Sequence, residues 1–213
     1  MKDLKYLAAL TIPISALISI YFKGYLTFFT PVYAFVIIPI LEVLLPHDTS
    51  NLEGEELEEK SKSKIFDWML YLNVPVVFGF LFYTLWDIAT NNYSNLELLG
   101  LILSIGIVLG VNGINVAHEL GHRQQTLERY LGKLLLLPSF YMHFYIEHNF
   151  GHHLHAATKE DPATAKLNQS VYSFWFTSTF RQYISAWKIQ ARLLKTNKEK
   201  FLSFKNDMLF NVN

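Results

Sequence analysis

There is no cysteine among the 213 residues. That excludes a disulfide framework, a thiolate-bound haem and any cysteine-held iron–sulfur cluster. Redox chemistry in this chain needs other ligands and an outside source of electrons. Charge is also scarce: Asp, Glu, Lys and Arg make up 17% of the residues, against 51% hydrophobic. The 18 basic and 18 acidic side chains cancel, so the whole chain offers no field for a polyanion and no nucleic-acid partner is expected. The cancellation hides an asymmetry. Residues 1–117 carry 6 Lys/Arg against 11 Asp/Glu, while residues 118–213 carry 12 against 7. Internal repeats, low-complexity tracts and strand-like alternation are absent as well.

What is present is long apolar runs. Residues 6–22, 68–86 and 98–117 contain no charged side chain, and residues 24–46 contain only Glu42. A bilayer core of about 30 Å needs about 20 helical residues, so each run is long enough to span or nearly so. The first run has no small-residue cleavage site and a second follows at once, so it reads as an anchor. The expected fold is an all-α, polytopic membrane protein: about four transmembrane helices over residues 1–117, with a cytoplasmic or interfacial helical cap over 118–213. Pro13, Pro31, Pro39 and Pro75 are expected to kink or end their helices. Trp68, Tyr71, Tyr83 and Trp86 suit interfacial or packing positions.

The loops set the orientation. Lys2 and Lys5 precede the first run. Lys60, Lys62 and Lys64 follow the second, beside a solvated glutamate run at Glu53, Glu55, Glu56, Glu58 and Glu59. The loop at 87–97 has no Lys or Arg, and 12 follow residue 117. Basic residues favour the cytoplasmic side, so the N-terminus, the 46–67 loop and the C-terminal half are expected there. Residues 134–146 carry no Asp, Glu, Lys or Arg but are too short to span, and are expected to be interfacial or re-entrant. Residues 181–205 carry seven basic residues and one Glu, with helix-spaced apolar positions. That suits a helix at a lipid surface, or a docking face for an acidic protein.

Seven of the eight histidines fall within 118–155. His118 and His122 stand at i and i+4, so a helix places both on one face for one metal. His148 and His152 repeat the spacing, and His153 lies about 100° further round. Imidazole ligates zinc, iron or copper. The first cluster is an HExxH, which in a zinc protease supplies two ligands and makes Glu119 the general base. A zincin needs one ligand more, not three, so five clustered imidazoles suggest two metals or one incomplete site.

The runs INVAHELGHR at 114–123, FYIEHNFGHH at 144–153 and ATKEDPAT at 157–164 resemble the first two histidine boxes and following loop of the membrane alkane 1-monooxygenases. These are integral-membrane, non-haem di-iron hydroxylases, more distantly related to membrane fatty-acid desaturases. The resemblance covers almost the whole chain. It implies that His118, His122, His148, His152 and His153 are iron ligands, and that His143 and His155 are not. It implies O₂-dependent terminal hydroxylation of medium-chain alkanes, with electrons from a rubredoxin or ferredoxin and its reductase, in a multi-pass bacterial inner-membrane protein. The family pattern continues with further transmembrane helices, an Asn-Tyr-x-Glu-His motif and a third histidine box. The chain is therefore expected to be an N-terminal portion that does not hydroxylate by itself. A membrane desaturase, a related hydroxylase, a membrane zinc protease and an inactive membrane fragment are the other readings.

Three residues are expected to support the ligands. Glu42 is a carboxylate near the cytoplasmic end of the second helix, placed either to orient a ligand histidine or to reach the interface. Glu119 adjoins His118. Asn115 continues a polar stripe from Asn112 that either serves the site or bonds a neighbouring helix. If Glu42 faces the metal, Ile38, Phe35 and the small Ala34 lie along the same face as a path for an alkyl chain.

Overall fold

A computed structural model describes residues 8–46, 54, 58, 60 and 63–209. The tail bearing Lys2 and Lys5, most of the glutamate run (Glu53, Glu55, Glu56 and Glu59), His47, Lys62 and residues 210–213 lie outside the described residues. The structure is 77% helical, and no strand occurs among the described residues. This is the all-α membrane protein expected. Contacts divide the chain into two compact units, Met1–Val116 and Ala117–Asn213.

The first unit contains α1 (Thr11–Phe22), α2 (Gly24–Leu44), α3 (Ile65–Thr90) and most of α4 (Asn95–Gly121). Three of these, α2, α3 and α4, are long and apolar enough to cross a membrane. Of the first expected span, the described part is the apolar helix Ala8–Phe22, which at 1.5 Å per residue extends about 22 Å. None of the four prolines ends its helix. Pro13 sits in the first turns of α1, where a missing N–H costs little, and Pro31, Pro39 and Pro75 lie within α2 and α3. The α1–α2 corner turns at Lys23 (φ 52°) and Gly24 (φ 56°). It is pinned by Glu97, which accepts from Gly24 N–H at 2.9 Å and forms a capping box with Ser94 at the start of α4.

Small and hydroxylated residues join α1, α2 and α4. Ser19, Thr27, Thr30 and Ser104 are all buried. The Ser19 and Thr30 hydroxyls are 3.0 Å apart, and Ser104 donates to the Thr27 carbonyl at 2.8 Å. In lipid, where apolar burial does not discriminate between helix and solvent, close packing and interhelical hydrogen bonds hold such bundles. Asn112 serves the same end: its amide donates to Asn73 Oδ1 of α3 at 2.9 Å. Of the two roles open to Asn112, the structure therefore shows the bond to a neighbouring helix. Ala34 packs against Ile12, Ala16 and Val108, so it sits in a packed helix contact rather than beside an open path. Phe35 is exposed.

The second unit contains the end of α4, then α5 (Thr126–Leu136), α6 (143–155) and α7 (Val171–Thr196). The apolar stretch 134–146 is not one re-entrant segment. Pro138 and Phe140 (φ 53°) break it between α5 and α6, and Leu135, Leu136 and Ile146 are buried within the unit. α5 lies close on the last turns of α4, because a Cβ at Gly132 would stand 3.0 Å from the Ala117 carbonyl. Lys133 is buried, bonded to Asp207 Oδ1 at 2.9 Å and placed over the Tyr145 ring at 4.6 Å. The basic stretch 181–205 is helical only to Thr196. The chain then turns at Lys198 (φ 56°) and folds back, with Gln190 donating to the Lys205 carbonyl at 2.9 Å.

Gly100 is where α4 meets the first turn of α2. A Cβ there would collide with the buried Thr27 side chain and stand 2.9 Å from Phe28 Cδ2. Gly106, two turns on, has open space. Gly100→Ala is expected to destabilise the protein in detergent by about 1–3 kcal/mol, as overpacking does, and Gly106→Ala to leave it unchanged. Thermal unfolding followed by circular dichroism compares the two.

Candidate metal centre

His118 lies in the last turn of α4 and His122 in the turn just after it, and His148, His152 and His153 lie on α6, all within the second unit. Their ring nitrogens converge. His122 Nε2 is 3.0 Å from His118 Nε2 and 3.1 Å from His148 Nε2, and His153 Nε2 is 3.1 Å from His148 Nε2. Ligand atoms of His118, His122 and His148 all lie within 4.8 Å of one another.

The second box closes differently from the spacing argument. Residues His148–His152 form a turn of π-helix, in which position i+5 rather than i+4 is bonded to i. That wider turn brings His153 Nε2 to His148. His152 instead stacks its ring near-parallel on His148, 5.3 Å between centroids, and sends Nδ1 to Asp161 Oδ2 at 3.0 Å. The structure thus joins four of the five expected ligands directly and sets His152 beside them.

A neutral imidazole has one N–H and one lone pair. A row of four Nε2 atoms at hydrogen-bond distance can pair through alternating tautomers, N–H facing lone pair, or can turn its lone pairs to a cation. With metal–imidazole bonds of about 2.0–2.1 Å, ligands at right angles stand about 3 Å apart, the separation seen here. The donor set therefore fits a metal ion. Burial, followed by the neighbouring His118, His153, His122 and His152, pushes His148 down to about 3, so this imidazole is neutral and its lone pair free at physiological pH. The Phe144 ring stacks on His148 at 4.8 Å and covers one face.

The surrounding residues separate into bonded and exposed ones. Glu119 is exposed and accepts from Arg123 Nη2 at 3.1 Å, one turn along the chain. Asn115 is exposed on α4, and Glu42 is exposed on α2 in the first unit. Glu147 is fully buried, and burial together with the charge of Asp161 pushes its carboxyl above the usual range. His143, expected to be no ligand, is buried between the rings of Tyr141 and Tyr183, with no hydrogen-bond partner on Nε2. Sequence reading passed over Asp161 and Phe144. Asp161 stood in a quoted motif, but nothing local announces that its carboxylate turns back nine residues onto a histidine.

The sequence pattern of the fatty acid desaturase family matches residues 94–211. The chain belongs to that family. Among its relatives, the alkane 1-monooxygenase of Ectopseudomonas oleovorans is 35% identical over 81% of this chain and 43% of its own length. Alkane 1-monooxygenase 2 of Alcanivorax borkumensis is 32% identical over 99% of this chain and 57% of its own. The xylene/toluene monooxygenase hydroxylase component of Pseudomonas putida is 28% identical over 92% and 52%. The chain spans about half the length of the curated relatives it matches.

Gly151, between the ligands of the second box, is required by packing. A Cβ there would stand 2.6 Å from Glu147 Oε1 and 2.8 Å from Ile189 Cδ1 on α7. Gly151→Ala is expected to push α6 from α7, lowering stability by about 1–3 kcal/mol and loosening metal binding. Gly79→Ala, at a site with open space, is the matched control in thermal unfolding with and without Co(II).

Proposed function

We propose that this chain carries the first two histidine boxes of a membrane alkane monooxygenase. The complete protein would insert one oxygen atom of O₂ into a terminal C–H bond of a medium-chain n-alkane. The other oxygen atom leaves as water, using two electrons and two protons. The observation that carries this reading is the convergence of the His118, His122, His148 and His153 Nε2 atoms, in a chain whose relatives are named alkane 1-monooxygenases.

The metal proposed is iron, as a di-iron non-haem centre whose ligands include His118, His122, His148, His152 and His153. When bound, it supplies the activation of O₂. The chain's own residues do the rest. Neutral imidazoles donate lone pairs without adding charge. Phe144 shields one face of His148 from water. Glu119, Asn115 and Glu42 are retained as proposed supporting residues. An apolar substrate enters from lipid, and the electrons come from a rubredoxin or ferredoxin with its reductase. The Lys/Arg distribution supports a multi-pass protein of the bacterial inner membrane with the histidine boxes on the cytoplasmic side.

A zinc protease built on HExxH is the reading of another class. It is disfavoured by two further histidines in the same Nε2 contacts and by the Glu119 carboxylate being held by Arg123. A desaturase or a related hydroxylase would share the ligands and differ in product.

Two measurements test these proposals. The full-length gene product, given octane, donor proteins and ¹⁸O₂, is expected to contain iron and to yield labelled 1-octanol. His148→Ala is expected to abolish the product. A zinc-loaded protein whose proteolysis disappears in Glu119→Ala would establish the protease instead. For the donor, Lys188, Arg192 and Lys195 are exposed on α7. Reversing all three is expected to raise the donor KM several-fold at low salt and less at high salt, because screening removes the long-range part. An unchanged KM would move the docking face elsewhere.

A further inference from the structure

Asp161 has a fully buried side chain, although it belongs to the exposed connection between α6 and α7. A buried carboxylate is costly unless it is hydrogen-bonded. This one accepts three bonds: from His152 Nδ1 at 3.0 Å, from Thr164 Oγ1 at 2.5 Å and from Ala163 N–H at 2.9 Å. Thr164 Oγ1 in turn accepts from Ala157 N–H at 3.0 Å, which closes the connection on itself.

His152 needs such a partner more than its neighbours do. The orientations of His118, His122, His148 and His153 are tied together through their Nε2 contacts. His152 has no part in those contacts, and it approaches them through ring contacts, stacked on His148 and edge-on to His153. Stacking leaves open which nitrogen carries the proton. A neutral histidine side chain in water prefers the proton on Nε2, the wrong atom for a ligand that must offer Nε2.

We propose that Asp161 is the positioning residue of His152: it holds the proton on Nδ1 and so presents the Nε2 lone pair to the metal. This rests on the metal-centre reading above. Thr164 and the Ala163 amide fix the carboxylate, the carboxylate fixes the ring, and the 157–164 connection becomes part of the metal centre without supplying a ligand. A carboxylate behind an imidazole also raises its basicity as a ligand.

The experiment is a Co(II) titration of the whole chain in detergent, read from the visible ligand-field bands. Asp161→Asn is expected to weaken binding about 10–100-fold, the usual cost of losing such a partner. Thr164→Ser keeps the hydroxyl and is expected to bind as the parent does. In a His152→Ala background, Asp161→Asn is expected to add nothing. Nitrogen-15 spectra of the metal-free parent give a readout independent of loading: His152 is expected as the Nδ1–H tautomer. Equal weakening by Asp161→Asn with and without His152 would overturn the positioning role, as would an Nε2–H tautomer or undiminished Co(II) affinity in Asp161→Asn. A parent chain that shows the Nδ1–H tautomer but binds no Co(II) would overturn the metal reading on its own account.

Discussion

Four imidazole Nε2 atoms joined in a row by contacts of about 3 Å are the constraint on which the second unit turns: at each contact an N–H must face a lone pair, or the lone pairs must share a cation. The second unit is built to hold them there regardless. Gly132 lets α5 lie against the last turns of α4, and Gly151 lets α6 lie against α7. Lys133 and Asp207 tie the returning C-terminal segment onto α5 in a buried ion pair. Such a pair adds little net stability over an apolar substitute, but breaking it by removing one partner costs several kcal/mol. The framework is rigid where the ligands attach, and metal binding collects what the framework has already ordered.

The first unit obeys a different solvent. Its exposed surface is largely apolar, with Tyr25, Phe35, Val43 and Trp68 among many large side chains facing outward. Its buried positions include Ser15, Ser19, Thr27, Thr30, Asn73 and Ser104. That inversion of a soluble protein is what lipid requires: apolar groups gain nothing by leaving hydrocarbon, while hydroxyls and amides do if they find one another. The same physics explains the tolerance of Pro31, Pro39 and Pro75 inside α2 and α3, where neighbouring turns re-bond the groups that proline frees.

The fold class was readable because uncharged runs of spanning length have few alternative interpretations. The histidine cluster was readable because two histidine pairs at helical spacing point to one another. What escaped were features of long range or irregular geometry. The apolar 134–146 stretch was read as one segment, and it divides: Leu135, Leu136, Tyr145 and Ile146 are buried in the second unit, while Leu137 and Phe140 are exposed. Composition cannot separate burial in protein from burial in lipid. His153 rather than His152 meets His148 Nε2, because residues 148–152 form a π-turn where the spacing argument assumed the α-helical period.

That last difference has a general physical basis. Three π-turns occur among the described residues, at Tyr33–Ile37, Leu109–Ile114 and His148–His152. Each one advances the chain by an extra residue per turn and rotates everything downstream relative to an α-helix. In α4 the second of them contains Asn112 and coincides with its bond to Asn73. In α6 the third turns six consecutive positions, 148 to 153, so that the first and last share a face and the penultimate one faces Asp161. Hydrogen bonding is poorer in such turns, so they persist only where something else holds the ends. Here that is the close packing at Gly151, with Glu147 and Ile189 filling the space a side chain would need. The glycine in EHNFGHH is therefore a condition for the ligand geometry. It admits the helix contact that keeps the π-turn in place, and the π-turn decides which of two adjacent histidines meets His148 and which is handed to the carboxylate.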